Sequence, residues 1–82
     1  MAFSGACLIR SVGLNSGDER VHFELKAADG TSFDWTQFLA RKEHNREVLA
    51  LALAAITSNK KVLIQTEATT AWSEVWWFDV LA

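Results

Sequence analysis

Residues 73–82 read SEVWWFDVLA, and how this segment folds decides what the rest of the chain must do. In a regular strand side chains alternate between faces, which puts Trp76, Phe78 and Val80 on one side and Val75, Trp77 and Leu81 on the other. Both sides are then apolar. A chain of 82 residues buries roughly 60–70 % of the surface its unfolded form exposes, enough for one modest core. The segment is therefore expected to lay one face on the chain's own core and the other against a second surface.

Upstream, KVLIQTE (residues 61–67) reads as the partner strand, joined to the last one by the loop ATTAW (residues 68–72). Val62, Ile64 and Thr66 share one face, and Leu63, Gln65 and Glu67 take the other. Before it the period changes. Asn45 is placed to cap a helix, Glu47 complements the dipole in its first turn, and residues 48–56, VLALALAAI, are strong helix formers. Asn59 suits the left-handed position that ends such a helix. Leu49, Leu53 and Ile56 form one stripe and Val48, Leu51 and Ala55 another, so this helix is apolar all round and is expected to be covered all round.

The N-terminal half reads as three strands. RVHFELK (residues 20–26) alternates cleanly, with Val21, Phe23 and Leu25 dry and Arg20, His22, Glu24 and Lys26 wet. Before it, CLIRSVGL (residues 7–14) carries Leu8, Val12 and Leu14 and runs into the turn-rich NSGDE. After it, Asp29-Gly30 signals a hairpin, with TSFDWTQF (residues 31–38) returning, Phe33 and Trp35 inward and Asp34 outward. The order is βββαββ over one domain, residues 1–82. That order suits a mainly β fold with one helix, a small five-stranded Greek-key barrel of the OB type; the alternative is an α+β sheet with the helix on its face.

Composition narrows the function. Hydrophobic residues make up 50 % and charged residues 22 % of the chain, an ordinary globular balance. A net charge of −2 offers no electrostatic footprint for a phosphate backbone, which argues against nucleic acid. The single cysteine, Cys7, cannot form an intrachain disulfide and fits a reducing compartment. No basic, apolar signal segment opens the sequence, and the longest apolar run is far short of the ~20 residues a membrane span needs. A cytoplasmic protein with no membrane span is expected.

The candidate chemistry is sparse. His22, His44 and Cys7 show no metal-ligand spacing, so no metal or cofactor is implied, and both histidines read as solvated. Asp34, Glu67, Glu74 and Asp79 are the carboxylates placed near apolar segments. Asp79 shares a face with Val75, Trp77 and Leu81, where covering that face demands a partner for its charge. With no nucleophile, phosphate loop or metal motif, structural ion pairing is the simpler account of these groups. The aromatic set stands out: four tryptophans, five phenylalanines and no tyrosine. Tryptophan anchors interfaces and forms ligand-stacking platforms. Phe33 and Trp35 are assigned to the core; Trp72, at the loop end, is the candidate for a small-ligand platform, against the commoner arrangement of a loop tryptophan packed on its own hairpin.

The segment EHNREVLALALAAITSNKKVLIQTEATTAWSEVWWFDVLA, Glu43 to Ala82, resembles the C-terminal half of the pentameric binding subunits of cholera-type bacterial AB5 toxins. The likeness is of a long helix, a Lys-containing turn, a strand, a polar loop and a final apolar strand. The resemblance implies an OB-fold protomer in a five-membered ring, and a sugar site in the loop of the last hairpin. Here that loop offers Glu67, Thr69, Thr70 and Trp72, with the tryptophan later than in the family's pattern. The family's disulfide and secretion signal are missing.

The expectation is thus a non-enzymatic homo-oligomeric binding module for a small molecule or carbohydrate, assembled through Leu63, Val75, Trp77, Asp79 and Leu81. Two other classes fit the same sequence: a small oligomeric enzyme using Asp79 or Asp34 in an interface cleft, and an interaction or immunity-type protein whose apolar face meets a different chain.

Overall fold

The computed structural model describes residues 3–82. The chain forms β1 (Phe3–Asn15), β2 (Arg20–Ala27), β3 (Thr36–Ala40), a short 3-10 turn (Lys42–His44), α1 (Asn45–Thr57), β4 (Val62–Thr66) and β5 (Ser73–Val80). The strands close into a barrel in the order β1-β2-β3-β5-β4, with β4 returning to β1. All pairings are antiparallel except β3 with β5, which is parallel. This is the five-stranded OB-type barrel, mainly β with one helix.

The core follows the alternation of β2 and β4. Val21, Phe23, Leu25 and Ala27 from β2 and Val62, Ile64 and Thr66 from β4 are buried. Two strands break that alternation, each at a bulge. In β1, Ile9 pairs with Leu25 and Ser11 with Glu24, so Arg10 is an extra residue in the ladder. A bulge adds one unpaired residue, bends its strand and inverts the phase of side chains beyond it. Cys7 and Ile9 therefore face the core before the bulge and Val12 after it, while Leu8 and Leu14 are exposed. The bend lets one strand pair with β4 over Phe3–Cys7 and with β2 over Cys7–Asn15. Arg10 itself points outward, forked onto Glu24 at 2.7 and 3.0 Å and stacked 4.3 Å from the Trp35 ring centroid.

The second bulge answers the question set by SEVWWFDVLA. Gln65 pairs with Trp77 but Thr66 pairs with Val75, leaving Trp76 as the extra residue. Val75, Phe78 and Val80 consequently turn inward, and Trp76 and Trp77 both turn outward, 56 % and 52 % exposed. Trp76 is thus not a core residue, and Val75, 4 % exposed, is taken by the chain's own core and not by an interface. Phe78 packs edge-on against Phe23 at 5.2 Å. Beside the bulge lies Thr66, the buried polar residue of the core, whose hydroxyl is 2.9 Å from the carbonyls of both Ala68 and Glu74. Those bonds satisfy the hydroxyl where the ladder is interrupted.

The turn at Asp29-Gly30 forms, with Gly30 at φ +77°, a value glycine adopts without strain. A tight hairpin does not follow it. Asp29 accepts hydrogen bonds from the backbone N–H of Thr31 and Ser32 and from the Ser32 hydroxyl at 2.5–3.0 Å, and the Ala27 N–H donates to Phe33 O. This compact loop delays the start of β3 to Thr36. The inward residues of β3 are Phe38 and Ala40; Phe33 packs against the core from the loop, whereas Trp35 is half-buried beneath Arg10.

Helix α1 crosses one end of the barrel and buries Val48, Ala52 and Ala55. Its cap is His44 and not Asn45. The Asn45 side chain reaches the adjoining loop, donating to Glu19 O and accepting from the Val21 N–H, and so ties the helix start to β2. Asn59 does take the left-handed conformation, φ 57°, and the Asn59→Ile56 and Lys60→Ala55 backbone bonds close a Schellman motif. The helix is covered on one side only: Leu51 and Leu53 are exposed. Among the described residues no helix is long and apolar enough to cross a membrane.

Two outcomes follow from this packing. Burial, with a smaller contribution from the Asp29 charge, pushes the Cys7 thiol up to about 12; a disulfide reagent at pH 8 is expected to label the native protein only as fast as it unfolds, measured by absorbance, because the thiolate is the reactive form. The Asp29 carboxyl is held down at about 2, first by the Ser32 hydroxyl and then by the Ser32 and Thr31 amides. A group with a lowered folded pKa stabilises fully above its unfolded value near ~3.9 and loses that contribution as pH falls. Titration of the Asp29 carboxyl carbon by NMR is expected to centre near pH 2, and Ser32→Ala to raise it.

Candidate functional site

The barrel positions β2 and β3 side by side, with the β1–β2 loop at one end of their outer face and the β4–β5 loop at the other. On β2, Arg20 and His22 are, with Glu24 and Lys26, opposite in phase to the core set Val21, Phe23 and Leu25 and therefore share this outer face. A cleft of about 370 Å³ lies here, lined by Asn15 and Asp18 from the first loop, Arg20 and His22 from β2, Leu39 from β3 and Trp72 from the second loop. Its size is at the lower end of the ~300–1,000 Å³ range of small-molecule sites.

Each wall is fixed by local bonds. Asn15 Oδ1 accepts from the Gly17 N–H at 2.9 Å and Asp18 Oδ1 from the Arg20 N–H at 3.0 Å, holding the loop as two side-chain-closed turns. The Arg20 guanidinium donates through Nη2 to Ala40 O and to Glu74 Oε2, both at 2.8 Å, and so clasps the end of β3 and the start of β5. The His22 ring lies over Gly13 of β1: a Cβ at Gly13 would come within 2.9 Å of His22 Cε1. On its other side the ring meets Trp72 edge-on, centroids 6.2 Å apart. His22 is accordingly half-buried in an aromatic corner and is not the freely solvated side chain its strand alternation implies.

Trp72 is the unusual member. Its φ is +68°, a region that costs a residue with a Cβ about 1–2 kcal/mol and in which a bulky side chain is an outlier. The conformation is held by the Trp72 N–H bond to Gln37 O at 2.7 Å, and by the Ser73 hydroxyl on Thr70 O at 2.8 Å. Despite its size the indole is 55 % exposed. The strained backbone position and the exposed ring coincide at the edge of the cleft.

The other loop residues expected to bind ligand are elsewhere. Glu67 is exposed and borders a separate pocket of about 60 Å³ with Gln65, Thr66 and Trp76. Thr70 faces Ser73, hydroxyls 3.2 Å apart, and Thr69 is half-buried; none of the three lines the Trp72 cleft. The tertiary structure supplies Asn15, Asp18, Arg20, His22 and Leu39 instead. The turn signal NSGDE and the wet face of β2 were visible as separate features, but nothing in the chain order joins them to Trp72.

Of the residues expected at an oligomer interface, Trp77 and Asp79 are exposed on the outer face of β5, with the Trp77 indole N–H donating to Asp79 Oδ2 at 2.7 Å. Leu63 is half-buried opposite Asp79, and Leu81 is half-buried with its N–H on Lys61 O. The partner of Asp79 is thus an indole, not a cation. Asp34 is 83 % exposed, 3.9 Å from Lys26. His44 is exposed and 3.6 Å from Glu47. Among the described residues no group of three His, Cys, Asp or Glu side chains is placed to hold a metal ion.

A scan against protein-family models and searches of curated proteins and of solved structures return no match to this chain. Function must therefore be argued from the site alone.

The contact between His22 and Gly13 gives a direct check on the aromatic corner. Gly13→Val is expected to displace the imidazole, lower stability by about 1–3 kcal/mol through overpacking and shift the Trp72 indole N–H resonance. Gly5→Ala, where the nearest contact is the end of the Phe3 ring at 3.3 Å, is expected to leave that resonance in place; denaturant melts and two-dimensional NMR compare the two.

Proposed function

We propose that the chain is a non-catalytic binding module that takes a small molecule or carbohydrate at the Trp72 cleft and works as a homo-oligomer. The observation that carries the ligand reading is Trp72 itself: an indole exposed at positive φ, opposite Arg20, Asn15 and Asp18. A flat apolar ring facing a few polar groups suits a ligand with one apolar face and a hydroxylated edge, which is the chemistry of a sugar ring. OB-type barrels commonly bind oligosaccharides and oligonucleotides on this same face, between the first and last loops. The net charge of −2 favours the sugar over a polyanion.

The assembly reading rests on the outer surface of β5 and α1. Trp76 and Trp77 are half exposed, Arg41 lies 5.7 Å from the Trp76 ring centroid, and a groove of about 170 Å³ runs between Trp76 and Leu51 of the helix. Apolar surface of this kind is uncommon on monomers, and a second copy of the chain is the partner we assign to it. A five-membered ring, as in the toxin binding subunits, is the arrangement to test. The single, buried Cys7 fits the reducing environment of a cytoplasm.

Light scattering over a dilution series tests the assembly: a mass several times the 9.1 kDa of the chain is expected to persist, and Trp77→Asp to reduce it to that of one chain with circular dichroism retained. An unchanged mass in Trp77→Asp removes β5 from the interface. A wild-type monomer at all concentrations refutes the assembly and favours a different protein as the partner of this face.

A further inference from the structure

We infer that the Trp72 cleft selects an uncharged ligand, a neutral pyranose or similar polyol, over its carboxylated or phosphorylated counterpart. The inference rests on the binding-module reading above and adds the charge class of the ligand.

The cleft contains one guanidinium, and it is already engaged. Arg20 Nη2 is 2.8 Å from Glu74 Oε2 and 2.8 Å from Ala40 O. Asp18 stands on the wall of the same cleft, with one carboxylate oxygen taken by the Arg20 N–H. Glu74 therefore matches the positive charge of Arg20, and Asp18 leaves a net negative field at the mouth. An anionic ligand approaching Arg20 would meet both carboxylates, and like charges this close repel more strongly near a protein surface than in bulk water.

Arg20 Nε and His22 Nδ1 are buried with no hydrogen-bond partner. They belong to side chains two residues apart on one face of β2, both lining the cleft. Nε is a donor only, so an oxygen acceptor is what can satisfy it. A hydroxyl or ring oxygen meets that requirement without adding charge beside Glu74. Leu39 and Trp72 form the apolar side, against which the C–H face of a pyranose can rest. The arrangement thus calls for a neutral acceptor from the ligand on one wall and offers it an apolar surface on the other.

The experiment titrates the full chain at low salt with matched probes: methyl galactopyranoside against galacturonic acid, methyl glucopyranoside against glucuronic acid, and N-acetylglucosamine against N-acetylneuraminic acid. The Trp72 indole and His22 ring resonances are followed by NMR. At least one neutral probe is expected to shift both, with its acidic counterpart binding at least tenfold more weakly. Asp18→Asn, which keeps an acceptor for the Arg20 N–H, is expected to narrow that gap, and Trp72→Ala to abolish binding of both. Equal or tighter binding of the acidic probes at the same resonances overturns the inference and leaves the binding module standing. Shifts confined to residues around Glu67 and Trp76 also overturn it, since the module then binds elsewhere. No response to any probe at millimolar concentration overturns the inference together with the ligand reading on which it rests.

Discussion

Trp76 is one residue too many in the ladder between β4 and β5, and the interior and the exterior of the barrel both depend on where that residue goes. By turning outward at the bulge it inverts the phase of the strand. Val75, Phe78 and Val80 then supply the core, and the bonds of Thr66 satisfy the polar group left beside the break. The Arg10 bulge does the matching service in β1, bending the strand so that it pairs with β2 and β4 in turn. A sheet of five short strands closes only if its strands bend and shear together, and in this chain the bends come from two residues with large side chains and outward destinations. Arg10 finds Glu24 and Trp35; Trp76 finds Arg41 at longer range.

Closure is what creates the cleft. Arg20 holds Ala40 at the end of β3 and Glu74 at the start of β5, which are the two strands that meet in parallel. That clasp, with the Trp72 N–H on Gln37 O, sets Trp72 of the last loop across the cleft from Asn15 and Asp18 of the first one. The result is an aromatic corner of His22 and Trp72 packed over Gly13, where the absence of a side chain lets the imidazole lie close to β1. Structural closure and the proposed ligand-binding surface therefore share residues, and Arg20 belongs to both.

The two surfaces proposed to be functional are separate. The cleft lies on the outer face of β2 and β3, while the exposed tryptophans Trp76 and Trp77 lie on β5 beside α1. In the proposed assembly the cleft stays open while the second apolar surface meets another copy, so that assembly would multiply sites without covering them. Multivalent display of a weak, small site raises overall avidity without any new contact at the site itself, which gives the proposed oligomer a physical purpose.

Much of the fold is local and was legible in residue order: the alternation of β2 and β4, the helix from Asn45, its left-handed stop at Asn59, and the βββαββ order that admits an OB-type barrel. These depend on periodicity and on neighbours within a few positions. The errors cluster at the two bulges and the Asp29 loop. Alternation assumes a regular strand, so it put Trp76 on the core face, Val75 at an interface and Trp35 in the core. Whether a strand inserts an extra residue is settled by the register of its partner and by what the bent strand can bury, and neither is written in the strand itself. The cleft was legible only in part for the same reason. Trp72 was identifiable as a loop aromatic that could form a platform, but Asp18, Arg20, His22 and Leu39 are 33 to 54 positions away in the chain, and closure of the barrel alone brings them together. Sequence by itself determined which segments become strands and helix, through side-chain period and capping; tertiary structure decided which face each strand shows and which loops meet, because those depend on register across pairs remote in the chain.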